Sequence, residues 1–419
     1  MLRRLIWACA AVLTLVLAAA ILAPVMAARQ DRRMEAAWKR ELGGRSFSDA
    51  FAPQDWNATS DHLQTLAVDL GITFKMKSRS RPGPDPTDDK VSQIKALIPA
   101  VSAQLETWRN ANSEDLDQLS ADVTTTLATL RPSLKRIVEL LLREPPPTWE
   151  RDVAAFWGGA DPNLLGPLHL QKLLFLEAGR LLGEEDEVEA NRWLEASWRL
   201  RQTRLDHPDL VVQLLNLAEI KNLHPMLRRS CSPDAAYRER LRALQWQHRM
   251  RVSLYRQAHH FLGASRLAEP IPTGGGFIPT LQRPFARMIL RDAARHITVD
   301  VDALSAIPTA NLDPGEFAQP RKHAWVLFKL YDELVEALAV DLVRAAYEDL
   351  NAELTLLVME ERLKGAGEWQ SRPSTVVPGV DWRRTRQGRV VSFEPSPIFR
   401  HVPTKSSPLR FRVHLNRCQ

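Results

Sequence analysis

The chain begins with an apolar run. Leu5 to Ala28 contains no charged residue, with Arg3 and Arg4 before it and Arg29, Arg32 and Arg33 after it. A helix rising about 1.5 Å per residue needs roughly 20 such residues to cross a ~30 Å hydrocarbon core, and it satisfies its own backbone hydrogen bonds there. The pattern predicts a single membrane-spanning helix that continues as a polar stem to Leu42 and ends at Gly43-Gly44. The rival reading is a signal peptide cleaved near Val25-Met26-Ala27, but the run is longer than a typical apolar region of roughly 7–15 residues. Basic residues flank both ends, so charge alone does not fix the orientation. A short N-terminus inside and the bulk of the chain outside the cytoplasmic membrane is the expected arrangement. The reverse orientation is the alternative.

After a short predicted helix near Ser60–Leu70, residues 71–90 are rich in Pro and charge and read as a loop. Then a helical period sets in. Val91, Ile94, Ile98, Val101, Leu105 and Trp108 recur at three and four, as do Leu119, Val123, Leu127, Leu130, Leu134, Ile137 and Leu141. These predict an antiparallel helical hairpin stopped by Pro145-Pro146-Pro147. Ser113 is the expected cap of the second helix, and Pro99 and Pro132 should kink or split the pair. Leu165–Leu182 and Glu187–Leu205 flank a turn at Gly183 and space small and large residues as a tetratricopeptide-type pair does. Only one such unit is found, where a solenoid needs about three.

Further helices are predicted over Pro208–Leu227, from Asp234 to Leu262 behind the start signal Ser232-Pro233-Asp234, from Pro284 to Ile297, and over Lys322–Lys364. The tail changes to a period of two. Residues 380–384 and 390–393 flank Gly388 as a hairpin, and Leu409, Phe411, Val413 and Leu415 alternate with Arg410, Arg412 and His414. The predicted fold is mainly α, an irregular helical bundle with a small C-terminal antiparallel β tail. The expected divisions are 1–42 (anchor and stem), 43–148 (N-terminal helices with the loop 71–90), 149–298 (central bundle), 299–370 (long helix) and 371–419 (basic β tail).

Charge sharpens this division. The 419 residues carry a formal charge of +6 and a pI near 9.3. Residues 1–40 hold seven basic and two acidic side chains, and residues 371–419 hold ten and two, so the stretch between them is net −7. The basicity belongs to the two ends, which argues against a nucleic-acid-binding globule and for surface or partner contacts at the ends. The candidate contact residues are Arg383, Arg384, Arg386, Arg389, Arg410 and Arg412, facing anionic lipid or an acidic partner. The plainer reading of the same arginines is a solubilising face that also blunts an edge strand. Of the three cysteines, Cys9 falls in the apolar run, leaving Cys231 and Cys418 as one disulfide or two thiols.

Catalytic signatures are absent: there is no His-Glu-x-x-His, no phosphate-binding loop with Lys-Ser/Thr, no Gly-x-Ser-x-Gly and no Cys-x-x-Cys. Ser92 and Lys95 match Ser-x-x-Lys without its partner motifs and lie on the polar side of a helix. His259, His260, His296 and His323 make a thin metal case: adjacent histidines point about 100° apart on one helix, so they do not face one ion, and Asp300 and Asp302 could join His296 only if the loop folds back. Gly274-Gly275-Gly276 reads as an inter-helix loop. Twelve Trp against four Tyr is unusual and is expected to reflect core packing, with glycan stacking as the functional alternative. The arginines between Asp234 and Leu262 read as a solvated face with local ion pairs. No cofactor or metal is expected.

The arrangement resembles groups of uncharacterised bacterial membrane-anchored helical proteins that carry a small pseudopilin-like β tail. The likeness rests on the N-terminal run, on the stretch from Leu173-Leu174-Phe175-Leu176-Glu177-Ala178 through Trp193-Leu194 to Pro208–Leu214, and on the late helix Leu354–Leu363 leading to Gly365, Pro373 and a basic hairpin. The Gly-Arg-Tyr-Pro-like junction of such tails is degenerate here, as Gly365-Ala366-Gly367-Glu368-Trp369. The resemblance implies place and fold but no chemistry. The expected function is a single-pass membrane-anchored interaction or scaffold component of a bacterial envelope, touching protein partners through the helical body or the basic tail. The alternative is an envelope enzyme with unfamiliar catalytic residues.

Overall fold

The computed structural model describes residues 26–75, 84–111, 118–149, 165–267, 278–305, 328–364, 370–396 and 409–414. Residues 5–25 of the apolar run, Ser113, Gly274–Gly276, His323 and Cys418 lie outside them. Among the described residues no helix is long and apolar enough to cross a membrane.

Helix α1 covers 26–41 and ends where Gly43 and Gly44 take positive φ values of 62° and 88°. It is not a free-standing stem. Met34, Ala37 and Trp38 are buried, and Trp38 Nε1 donates to Thr298 Oγ1 at 3.1 Å. The short α2 (Phe47–Ala50) and α3 (Ala58–Ala67) follow, capped by Ser46 and Asn57. Next come α4 (Asp88–Asn110) and α5 (Ala121–Arg143), continuous through Pro99 and Pro132 where a kink or a split is expected, so the prolines do not split them. Ser120 rather than Ser113 caps α5, its side chain accepting from Val123 N–H. The two do not form a self-contained hairpin. Helix α4 packs mainly on α6 (Leu165–Gly183) and α5 on both α7 (Glu187–Leu205) and α3, and α6 and α7 pair closely. The reason lies in α6, whose Leu173 to Ala178 are all buried, so it needs neighbours around its circumference.

Helix α8 (Leu210–Arg229) is capped by Asp209. The single helix predicted from Asp234 to Leu262 is two, α9 (Ala236–Arg242) and α10 (Trp246–Leu267), broken by Gln245 at φ 46°. Asp349 causes the break: its carboxylate accepts from Trp246 N–H at 2.7 Å and Gln247 N–H at 3.1 Å, capping a new helix start from a distant element. Helix α11 (Ile278–Ser305) packs on α10, and α12 (Phe328–Lys364) follows.

Four strands complete the chain: β1 (Ser371–Pro373), β2 (Asp381–Gln387), β3 (Val390–Ser396) and β4 (Phe411–His414), antiparallel in sequential order. Strands β2 and β3 turn through Gly388, whose φ of 61° occupies the position where a two-residue hairpin needs a left-handed residue. The expected tail sheet is present, with β1 as an added edge strand. One apolar core runs through the helices from Met34 to Met359. A second lies between α12 and the sheet, formed by Ala346, Tyr347, Leu350, Leu354 and Leu357 against Trp382, Val391, Phe393, Phe411 and Val413. Helix α12 is thus a wall shared by both cores.

Candidate functional site

The sheet has one face spent on packing. Trp382, Val391, Phe393, Phe411 and Val413 point at α12 and are buried. Alternation along a strand then sends the intervening residues outward. Register aligns them in rows: Arg383 lies opposite Glu394, which bonds Arg410 at 2.6 Å, and Ser392 lies opposite Arg412. Arg383, Arg410, Arg412 and His414 are exposed on this face with Glu394 as the acid between them.

Of the six predicted contact arginines, Arg383, Arg410 and Arg412 come together here. Arg389 is exposed in the hairpin turn, and Arg386 is exposed beside it with Nε donating to Gly388 O. Arg384 is set apart: it turns toward α12 and grips the buried Glu361 at 2.8 and 3.1 Å. It is a docking strut of the sheet, as is Glu353 of α12. Glu353 accepts from Trp382 Nε1, Ser374 Oγ, Thr375 N–H and Thr375 Oγ1 at 2.6–2.7 Å.

The other sequence candidates fall into structural roles. Ser92 and Lys95 are exposed. His259 packs against the rings of Trp38 and Phe47, and burial pushes its pKa down to about 4. His296 pairs with Asp292 one turn away, and Asp302 accepts from Tyr255 Oη. Among the described residues no group of three His, Cys, Asp or Glu could hold a metal ion. Seven tryptophans (Trp38, Trp108, Trp149, Trp193, Trp198, Trp246 and Trp382) are buried. The arginines after Asp234 pair between helices rather than locally, Arg240 with Glu195, Arg249 with Asp206 and Arg251 with Glu41.

Two charged arrangements have no signature in the sequence. One is a buried seam along α7, α8 and α12. Arg204 donates to both oxygens of Glu219 at 2.8 and 3.0 Å, while Arg201 lies 3.8 Å from the same carboxylate. The Arg201 guanidinium sits near the rings of Trp198 and Phe175, and desolvation lowers its pKa to about 10 against the pull of Glu219. Arg228 bonds Thr355 Oγ1 at 3.1 Å as well as Asn351, and desolvation brings it down to about 9. Burial also holds His224 well below the ordinary histidine range. Enclosed on all sides, this seam joins helices and is closed to solvent.

The other arrangement lines a cleft of about 780 Å³ between the end of α1, the segment after α2, the α7–α8 junction and the start of α10. Glu41 accepts from His248 Nδ1 at 2.7 Å and Arg251 Nε at 2.9 Å. Burial alone would raise the Glu41 carboxyl, but the bonds and charge of His248 and Arg251 outweigh it and hold the carboxyl below its ordinary range. Arg249 is consumed by Asp206, at 2.6 Å, and by the carbonyls of Leu205 and Leu244. Gln213 Nε2 donates to Leu205 O and His207 O, while its buried Oε1 has no hydrogen-bond partner among the described residues. Neither Ser nor Cys lines this cleft.

Cys231, just past α8, is disulfide-bonded, and its N–H donates to Glu187. The chain's other cysteines, Cys9 and Cys418, lie outside the described residues. Comparison with protein-family models, with curated proteins and with solved structures returns no match.

Proposed function

We propose that the protein is a single-pass component of the cytoplasmic membrane of a bacterial envelope, anchored by Leu5–Ala28, with its bulk on the extracytoplasmic side, where it works as a non-catalytic interaction or scaffold protein. The partner we assign to it is a protein with an acidic surface. The observation that carries the reading is the outer face of the sheet. Its arginines are presented in register on a support held to α12 by Glu353 and Arg384, and among the described residues no element packs over Arg383 or Arg412. Such a face steers an acidic partner and fixes its orientation.

The disulfide at Cys231 supports the placement, because structural disulfides persist in oxidising compartments and are rare in the cytosol. A reporter fused after Gln419 tests it. Activity of a periplasm-dependent reporter is expected, and activity of a cytoplasm-dependent one would overturn the orientation. For the docking, charge reversal at Arg383 and Arg412 should abolish capture of the acidic partner, and added salt should weaken it.

A further inference from the structure

The cleft at the end of α1 has a hydrogen-bonding inventory that constrains its occupant. Its ionic groups are largely used up: Glu41 by His248 and Arg251, and Arg249 by Asp206 and two carbonyls. What stays open is the Arg45 guanidinium, bonded through Nε to Leu42 O, and a set of polar groups without a fixed charge partner. With Nδ1–H given to Glu41, the His248 ring leaves Nε2 for a ligand. The Gln54, Gln202 and Gln245 amides also line the cleft, each with donors and an acceptor in one plane. Gln245 is held in its left-handed turn by the Asp349 cap behind it, a strained conformation of the kind found at ligand clamps. Phe51, half-buried and stacked on Phe47, supplies an aromatic surface among these polar groups.

We propose that this cleft binds a saccharide, its hydroxyls read by His248 Nε2 and the glutamine amides and one ring face covered by Phe51. Hydroxyl groups both donate and accept, which matches planar amides beside an imidazole nitrogen. The volume falls within the ~300–1,000 Å³ range of small-molecule sites and admits a short oligosaccharide. A peptide fits less well. The common modes of peptide recognition use an open strand edge, a continuous apolar groove, a row of aromatics or an arginine cluster, and the cleft is built from none of these. The inference is independent of the docking role of the sheet.

Titration calorimetry of the full chain in detergent tests it, with maltotriose, chitotriose and trigalacturonate as probes and trialanine and inorganic phosphate as contrasts. At least one sugar should bind, and more tightly than either contrast. Gln202→Ala, an exposed change that leaves the core untouched, and His248→Gln should each weaken that sugar about tenfold, whereas Arg412→Ala on the sheet should leave it unchanged. Thermal melting of each variant confirms its fold. Binding of none of the three sugars at millimolar concentration, binding unaffected by both cleft variants, or tighter binding of a contrast would each overturn the proposal.

Discussion

Single side chains carry much of the architecture, and Asp349 is the clearest case. Burial raises its pKa from 3.8 to about 6, against the lowering effect of the Gln247 and Trp246 N–H groups it caps. The folded state therefore binds this proton more tightly than the unfolded state. Stability from Asp349 is present below pH 4 and is lost as pH rises through about 6, a change of about 3 kcal/mol at ~1.4 kcal/mol per pKa unit. Urea midpoints of wild type and Asp349→Asn, compared from pH 4 to 7, should show that fall in the wild type and not in the variant. Parallel profiles would contradict it. Glu219 matters as a counter-charge. It is the carboxylate shared by Arg201 and Arg204, so Glu219→Ala leaves two guanidinium groups buried without a counter-charge and should cost about 3–5 kcal/mol by chemical denaturation. Gly179 is held by contact: a Cβ there would lie 2.3 Å from the Trp108 ring. Gly179→Ala should destabilise by about 1–3 kcal/mol through overpacking.

Elements were legible where periodicity was strong and partner-independent. Glu187–Leu205 is delimited by an acid-rich start and by its own apolar spacing, and the tail hairpin by Gly388 with alternating faces. Reading failed where a distant residue decides. The α9–α10 break is imposed by Asp349, more than 100 positions away, and nothing between Ala243 and Trp246 resembles a conventional stop. The two prolines leave their helices unsplit for a different reason. Pro99 and Pro132 sit in helices clamped by tertiary packing, which offsets the lost backbone bond. Strand β1 was missed because three residues containing a proline show no alternation to detect, and the sheet edge supplies their pairing. The sheet's attachment also has a local cause that can be tested. Glu353→Ala orphans the buried Trp382 indole, at about 1–3 kcal/mol, and releases the more exposed Ser374 and Thr375 donors to water. Amide exchange in β1–β3 should accelerate while α6 and α7 stay protected. Uniform acceleration through the whole chain would contradict separate docking of the sheet.

For the whole molecule, the +6 net charge conceals a division between ends and body, and the sheet gathers Arg383, Arg410 and Arg412 of the C-terminal share onto one exposed face. That much followed from alternation at Arg410, Phe411, Arg412 and Val413. The cleft did not, because Glu41 and His248 are 207 residues apart and belong to no motif. Nor could the sequence say whether Cys231 is paired. Digestion without reductant should release the Cys231 peptide in disulfide linkage, and an alkylatable Cys231 in the native protein would contradict an oxidising location. The most direct test of the docking role is a photo-crosslinking amino acid placed at Arg412, with one at the exposed Val188 of α7 as control, in protein at its native membrane. A discrete crosslinked protein partner at position 412, absent at 188 and abolished by Arg383→Glu with Arg410→Glu, is the expected result. Crosslinking at 412 no greater than at 188, or to lipid alone, would contradict the sheet as a protein-docking face.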